Sequence, residues 1–357
     1  MKAGFDIRQS KVEGTGIGRY TMNIYTRLQE LGSKEIIFVD GPANKGTTII
    51  DKLMVNLWEQ LILPFLIMFR GIEVLHITKN VGIPLISPSR YIITIHDIIP
   101  LVMEKEYLPG RLKKLLYIVR LKWAIKRADI IVVDSKYTKE DLIRYLGVSE
   151  HKIRVIYLGI EKQFKVINSD NSLRDIKEKF GISGPFILGI GSNEPRKNTI
   201  SLINAFKILK ERYSSDLQLV IVGKQWAKQP DTNDCCQDII FTGYVEDDEL
   251  ITLYNNTEVF VFPSLYEGFG LPPLEAMACG APVITSDISS LPEIVGESAV
   301  LIDPQNIEQL VDCIWKVVND REYRLSLKQK GLDHVKSFTW EKSIKELTEL
   351  YKECLNK

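Results

Sequence analysis

Residues 267–275 read Glu267-Gly268-Phe269-Gly270-Leu271-Pro272-Pro273-Leu274-Glu275, two carboxylates eight positions apart around a glycine-rich turn and a double proline. The apolar run Glu258–Phe262 leads in through Pro263 and Ser264. That places the turn at a strand's carboxyl end, where open α/β sheets hold ligands. Gly268 and Gly270 let the backbone bend and present N–H groups to an anion. Pro272 and Pro273 suit the first turn of a helix, whose N-terminal end favours phosphate oxygens. Glu267 and Glu275 can then accept hydrogen bonds from hydroxyls on either side of a bound diphosphate. Taken singly, Glu275 reads as a helix-dipole partner worth about 0.3–1 kcal/mol, and Glu267 as a solvated loop residue. The nonapeptide as a unit points to a ligand site.

The rest of the chain extends this α/β pattern. Short apolar runs alternate with amphipathic stretches, which argues for parallel sheets covered on both faces. Strands are expected at 3–7, 35–39, 74–77, 91–95, 130–133 and 153–156, then at 186–190, 218–222, 239–242, 259–262, 283–285 and 299–302. Helices are expected near 18–31, 57–70, 111–127, 136–146, 200–212, 248–255, 273–278, 307–319, 321–335 and 340–355. The polar stretch 158–172 is the candidate linker. With 357 residues, two domains are the default.

Composition excludes several classes. Hydrophobic content of 45% and charged content of 26% describe an ordinary globular chain. The 46 basic and 46 acidic side chains cancel, so nothing points to nucleic acid. The five cysteines, with Cys235 and Cys236 adjacent, form no disulfide framework. A reducing, cytoplasmic compartment follows as the expectation. The N-terminus opens on a strand, so no signal peptide is expected. The apolar stretch 57–69 contains Glu59, Gln60 and Pro64 and falls short of the roughly 20 residues a membrane span needs.

Other motifs fall at strand ends. Gly189 and Gly191 permit close backbone approach, and Arg196 and Lys197 follow as cations suited to a diphosphate; a solvated basic turn is the plainer reading. Near the N-terminus Gly14, Gly16 and Gly18 give G-x-G-x-G, the wrong spacing for a dinucleotide fold despite Asp40 at the second strand's end. His96 and Asp97 end an apolar strand, where a core histidine and a capping aspartate are the plain alternative. Tyr244 follows another strand end and is placed either to stack on a base or to pack in its loop. Asp134 and Ser135 read as a helix N-cap. Helix 111–127 carries seven basic residues and no acid. Its stripe Leu112, Leu115, Leu116, Val119 and Trp123 is expected in the core, its basic side solvated or resting on anionic lipid.

The carboxylate stretch resembles the donor-site signature of the glycosyltransferase family 4 group of retaining, nucleotide-sugar-dependent enzymes. The resemblance covers nearly the whole chain. It implies a GT-B architecture: an acceptor-binding domain 1–165 joined by the helix 340–357, a nucleotide-sugar domain 172–339, and a final helix crossing back to the first domain. In that reading Glu267 orients the sugar with N–H groups of Gly268, Phe269, Gly270 and Leu271, and Glu275 binds the ribose. Lys197 grips the phosphates, Gly16 approaches them with Arg19 nearby, and His96 contacts the transferred sugar. Many members carry an arginine where Ser192 stands, which leaves Arg196 as the candidate second cation. No Asp-x-Asp metal clamp is present, so neither cofactor nor metal is expected. The implied donor is a nucleotide diphosphate sugar, GDP-mannose first. The implied acceptor is a glycan or lipid-linked acceptor in cell-surface polysaccharide synthesis, with peripheral contact to an anionic membrane. A glycoside hydrolase and a catalytically silent sugar-nucleotide-binding subunit are the alternatives.

Overall fold

The computed structural model describes residues 2–12, 14–32, 35–43, 48–87, 89–167, 170–223 and 237–356. Glu13, the pair Cys235 and Cys236, and residues 168–169 of the expected linker lie outside them. The chain divides into two compact units, Met1–Gly159 with Thr339–Lys357, and Ile160–Phe338. The division, after Gly159, thus falls at the start of the polar stretch 158–172 read as the linker. Residues 170–172 already belong to the helix Asp170–Phe180.

The first unit holds six parallel strands: β1 (Ala3–Asp6), β2 (Ile36–Val39), β3 (Val74–Ile77), β4 (Arg90–Ile95), β5 (Ile130–Val133) and β6 (Ile153–Val155), in the order β2-β1-β3-β4-β5-β6. The second holds β7 (Phe186–Ile190), β8 (Gln218–Val222), β9 (Ile239–Gly243), β10 (Val259–Phe262), β11 (Val283–Ser286) and β12 (Val300–Ile302), in the order β12-β11-β10-β7-β8-β9. Central strands such as β5 and β10 are buried along their whole length. That is why they read as unbroken Val, Ile and Phe runs rather than alternating ones. Strand order reverses between β1 and β3 in the first sheet and between β7 and β10 in the second. Loops beyond the carboxyl ends at such reversals form the crevice in which α/β sheets bind ligands.

The C-terminal helix Trp340–Leu355 buries Trp340, Ile344, Leu347, Tyr351 and Cys354 on one face, at the spacing of an amphipathic helix. It packs in the first unit. Tyr351 Oη lies 2.7 Å from His76 Nδ1, and Ser343 Oγ donates to the Tyr157 carbonyl at 2.6 Å. Burial pushes His76 down to about 3, so this core imidazole is neutral.

Two helices of the first unit depart from expectation. The apolar helix begins before residue 57: Ile49–Leu57 continues through the π-turn Trp58–Ile62 into Leu63–Arg70. Ile50–Arg70, with 21 residues and mean hydropathy 1.4, is long and apolar enough to cross a membrane by length and composition alone. This corrects the expectation of a stretch that is too short. Its inner face is nonetheless taken up within the unit. Leu63 and Ile67 join the core, and Glu59 is buried in ion pairs with Arg8 and Lys79.

The second departure is the helix Arg111–Arg127. Its core face is Leu121 and Ala124, whereas Leu112, Leu115, Leu116 and Val119 of the expected core stripe are exposed, Leu112 by 68%. Helical periodicity places side chains on one face but does not say what covers that face.

Candidate active site

The reversal point of the second sheet brings the loops after β7 and β10 together. After β7 the chain makes the tight turn Pro195–Lys197 before the helix Thr199–Tyr213. After β10 it runs through Ser264 and Glu267 into the helix Leu271–Ala278. Lys197 Nζ lies 2.7 Å from Glu267 Oε1, and Arg196 Nη1 lies 2.6 Å from Oε2. Ser264 Oγ donates to Oε1 at 2.9 Å. Arg196 Nε also donates to Glu194 at 2.7 Å, and the Lys197 ammonium stands 4.5 Å from the Phe262 ring centre.

The turn itself is held from behind. Ser289 Oγ accepts from the Glu267 N–H at 3.2 Å, and Ser290 Oγ donates to the carbonyls of Glu267 and Phe269 at 2.9 and 2.7 Å. Gly270 adopts φ 110°, a region closed to most side chains, and so turns the chain into the helix. Leu271 opens that helix with Pro272 in its first turn. The first N–H groups of a helix lack intrahelical acceptors and aim outward. Gly268, Phe269 and Gly270 sit in the bend itself. Glu267 and Glu275 are both buried, although each is a carboxylate. Burying an ionised group is costly unless it is paired, which makes two such positions so close in sequence notable.

Electrostatics separate the partners. Burial would raise the Glu267 carboxyl, but Lys197 and Arg196 outweigh it and hold it below the usual range. Lys197 is lowered too, first by burial, with Glu267 restoring it only in part and Arg196 lowering it again. One carboxylate gains from two cations, while Lys197 has to share it with Arg196, which also holds Glu194. Such a cluster is poised to exchange its anion for another with more charge.

In the first unit, His96 follows β4 and Asp134 follows β5. The pairing of Ile95 with Val133 puts their successors side by side. His96 Nδ1 lies 2.6 Å from Asp134 Oδ2, and Nε2 lies 3.3 Å from the Thr78 carbonyl. A carbonyl and a carboxylate only accept, so this geometry suits a ring that donates from both nitrogens and carries a positive charge. Burial opposes that charge, but Asp134, and behind it Asp97, raise the His96 pKa above its usual value. The Tyr20 ring packs edge-on at 4.6 Å. Asp97 Oδ1 accepts from the Ile99 N–H at 3.1 Å, the capping role read for it. Ser135 does cap the next helix, accepting from the Thr138 N–H at 3.1 Å. The Asp134 pairing was missed, and strand adjacency was the signal that held it.

The amino-terminal glycines separate by cause. Gly14 has φ 67°, and a Cβ on Gly18 would stand 2.2 Å from the Val12 carbonyl oxygen, so both are required by the chain's own path. A Cβ on Gly16 would meet nothing within 4 Å. The same open space surrounds Gly14, but Gly16, first residue of the helix Gly16–Glu30, is the one that the chain's own path does not require. Arg19 stands half-buried in its first turn. Asp40, the ribose-binding acid of the dinucleotide alternative, is paired instead with Lys11 at 2.7 Å. In the second unit Tyr244 follows β9 and is 63% exposed.

Comparison with known proteins adds to this geometry. Residues 173–334 match the family described as Glycosyl transferases group 1, and residues 14–164 the one described as Glycosyltransferase Family 4. The serotype-specific mannosyltransferase WbdA of Escherichia coli is 32% identical over 262 residues, 71% of this chain and 32% of its own. The chain thus spans about a third of that relative's length. The O-antigen chain mannosyltransferase RfbU of Salmonella typhimurium is 28% identical over 348 residues, covering 86% of this chain and 91% of its own. Sucrose-phosphate synthase of Thermosynechococcus elongatus superposes with a TM-score of 0.76 at 18% identity, over 100% of this chain and 99% of its own. WaaG, a glycosyltransferase involved in lipopolysaccharide biosynthesis, gives 0.72 at 16%, over 96% of this chain and 98% of its own. At such identities the structural likeness establishes the fold, a GT-B architecture.

Proposed function

We propose, from the premise that this chain belongs to the group 1 glycosyltransferases of family 4, that it moves a hexosyl unit from a nucleotide diphosphate sugar to a glycan hydroxyl with retention at the anomeric carbon. The observation that carries this reading is Glu267 held between Lys197 and Arg196 at the reversal point of the second sheet. An arriving diphosphate offers more negative charge than one carboxylate. It would draw both cations to itself and release Glu267 to accept from the sugar hydroxyls. Because Pro272 and Pro273 carry no N–H, the N–H groups of the bend from Gly268 to Leu271 would face the phosphate oxygens, and Glu275 would bind the ribose. Arg196 would take the place of the cation absent at Ser192. Gly16 would approach the phosphates, His96 would contact the transferred sugar, and exposed Tyr244 would stack on the base.

The reaction then needs little from the protein beyond position and charge. The bond from anomeric carbon to β-phosphate oxygen breaks as the acceptor oxygen bonds to the same face. The departing phosphate oxygen takes the acceptor's proton. Charge on the leaving group is met by Lys197, Arg196 and the N–H groups of that bend, so activity should persist in excess EDTA. Glu267 is held low, so it is not the raised carboxyl that a glycosidase needs as its acid.

Mannose is the first sugar to test, and an O-antigen-like polysaccharide the first acceptor class, because the named relatives are a serotype-specific mannosyltransferase and an O-antigen chain mannosyltransferase. We place the protein at the cytoplasmic face of an anionic membrane, touching it peripherally. The exposed Leu112, Leu115 and Leu116 beside the seven cations of their helix support this. Loss of Leu112 and Leu116 to glutamine should reduce co-sedimentation with anionic vesicles. The test of function is mass spectrometry of products from GDP-mannose, then UDP- and dTDP-sugars, with glycan acceptors. A product lost in Glu267→Gln is expected, and hydrolysis of an oligosaccharide without nucleotide would refute the assignment.

A further inference from the structure

The His96 ring is held firmly everywhere but at one atom. Nδ1 is bonded to Asp134 Oδ2 at 2.6 Å, as short as charge-assisted pairs run. The Tyr20 ring stands edge-on at 4.6 Å. Tyr20 is itself fixed, because its hydroxyl lies 3.1 Å from Thr94 Oγ1, which also lies 2.7 Å from His76 Nε2. His76 is tied in turn to Tyr351 of the C-terminal helix. The remaining bond, from Nε2 to the Thr78 carbonyl, is long at 3.3 Å. It is the bond that a ligand can take over at least cost.

Reach divides the pair. The His96 side chain keeps 12% exposure and that of Asp134 only 3%. Asp134 Oδ1 is buried and has no hydrogen-bond partner among the described residues. A ligand therefore meets the imidazole and not the carboxylate. A neutral ring would leave that carboxylate buried without a cation, the costlier arrangement. A ring protonated at both nitrogens answers it, and the bond at Nδ1 sets what Nε2 presents. At a distance the two charges cancel. What Asp134 changes is local: the direction of the ring and the proton on Nε2.

We propose that Asp134 is a positioning residue for the transfer reaction. Out of a ligand's reach, it orients His96 and keeps both ring nitrogens protonated, so that Nε2 leaves the Thr78 carbonyl and donates to an oxygen of the transferred sugar. The inference rests on the transfer reading for the identity of that oxygen. Asp97, next in sequence, acts on the ring in the same direction as Asp134. The described groups that the neighbouring elements bring to it are uncharged. Burial keeps the Tyr20 hydroxyl protonated and His76 neutral, and Thr138 of the helix Lys136–Leu146 donates to the His96 carbonyl.

Asp134→Asn keeps the size and an oxygen that accepts from Nδ1, and removes the charge. Each unit by which it lowers the His96 pKa costs about ten-fold in the protonated fraction at a pH above both values. The ratio of kcat/KM for transfer, wild type over Asp134→Asn, should be about ten-fold or more at about pH 8 and narrow as the pH falls to about 5.5. A ratio that is the same at every pH would make Asp134 merely structural and overturn the proposal. The ring is read without substrate by NMR of the full chain carrying isotope-labelled histidine. The 4 histidines are few enough to assign His96 by the loss of its signal in His96→Gln. It should titrate above the ordinary value of about 6.5 in wild type and below it in Asp134→Asn. A wild-type His96 already neutral at about pH 6 overturns the proposal, whether or not Asp134→Asn folds. Failure to find any transfer product strikes the reading of the reaction, and this titration still decides whether Asp134 holds the charge.

Discussion

Glu59 and Glu267 are both buried glutamates that hold two basic side chains each, yet they are built for different ends. The cations on Glu59 come from separate elements, Arg8 beyond β1 and Lys79 beyond β3, and Arg8 is fully enclosed with Asp6. No solvent or ligand can replace Arg8, so although Lys79 keeps 15% exposure, this centre always retains one fixed cation and holds strand ends and helix in place. The cations on Glu267 are neighbours in one short turn, and their side chains keep 17% and 14% exposure. A ligand can reach both at once. Pairing alone therefore does not mark a site; what marks it is whether the partners can be handed to something else.

The largest effect should come from the enclosed centre. Arg8→Met strands the Asp6 and Glu59 charges and should cost about 3–5 kcal/mol of stability, read by chemical denaturation. A loss below about 1 kcal/mol would erase the contrast drawn here. Next, Lys197→Ala should lower transfer about 100- to 1,000-fold, equivalent to about 2.7–4 kcal/mol of barrier, while denaturation midpoints stay near wild type. Unfolding of that variant would make the second centre structural as well. Arg196→Gln keeps Lys197 in place and should cost about ten-fold in kcat/KM, or about 1.4 kcal/mol.

The smallest effect concerns pH. His96 is raised in the folded chain. Its contribution is therefore complete below the ordinary histidine value near 6.5 and fades as pH climbs through the raised one. The stability difference between wild type and His96→Gln should shrink from pH 6 upward; a constant difference would show that the ring is not charged.

Much of this molecule could be read from its residues, for a definite reason. Buried parallel strands are unbroken apolar runs, and each expected strand lies within a residue or so of an observed one. Glu267, Lys197 and the turn between Gly268 and Leu271 stood out because each lies within a short motif. Arg196 on Glu267 was only half legible, since a solvated turn has the same sequence. The Arg8–Glu59 pair spans 51 positions and has no local signature. The same holds for the Asp134 bond to His96, which only strand order reveals. The exposed leucines of Arg111–Arg127 were misread because amphipathic spacing is identical for a core face and for a face turned to solvent.

The most direct trial is the affinity of the nucleotide diphosphate sugar that gives product, titrated calorimetrically into wild type and into Arg196→Gln with Lys197→Ala. A fall of at least 100-fold in the double variant, with folding intact, is the result expected if the diphosphate takes both cations from Glu267. Unchanged affinity would contradict the account.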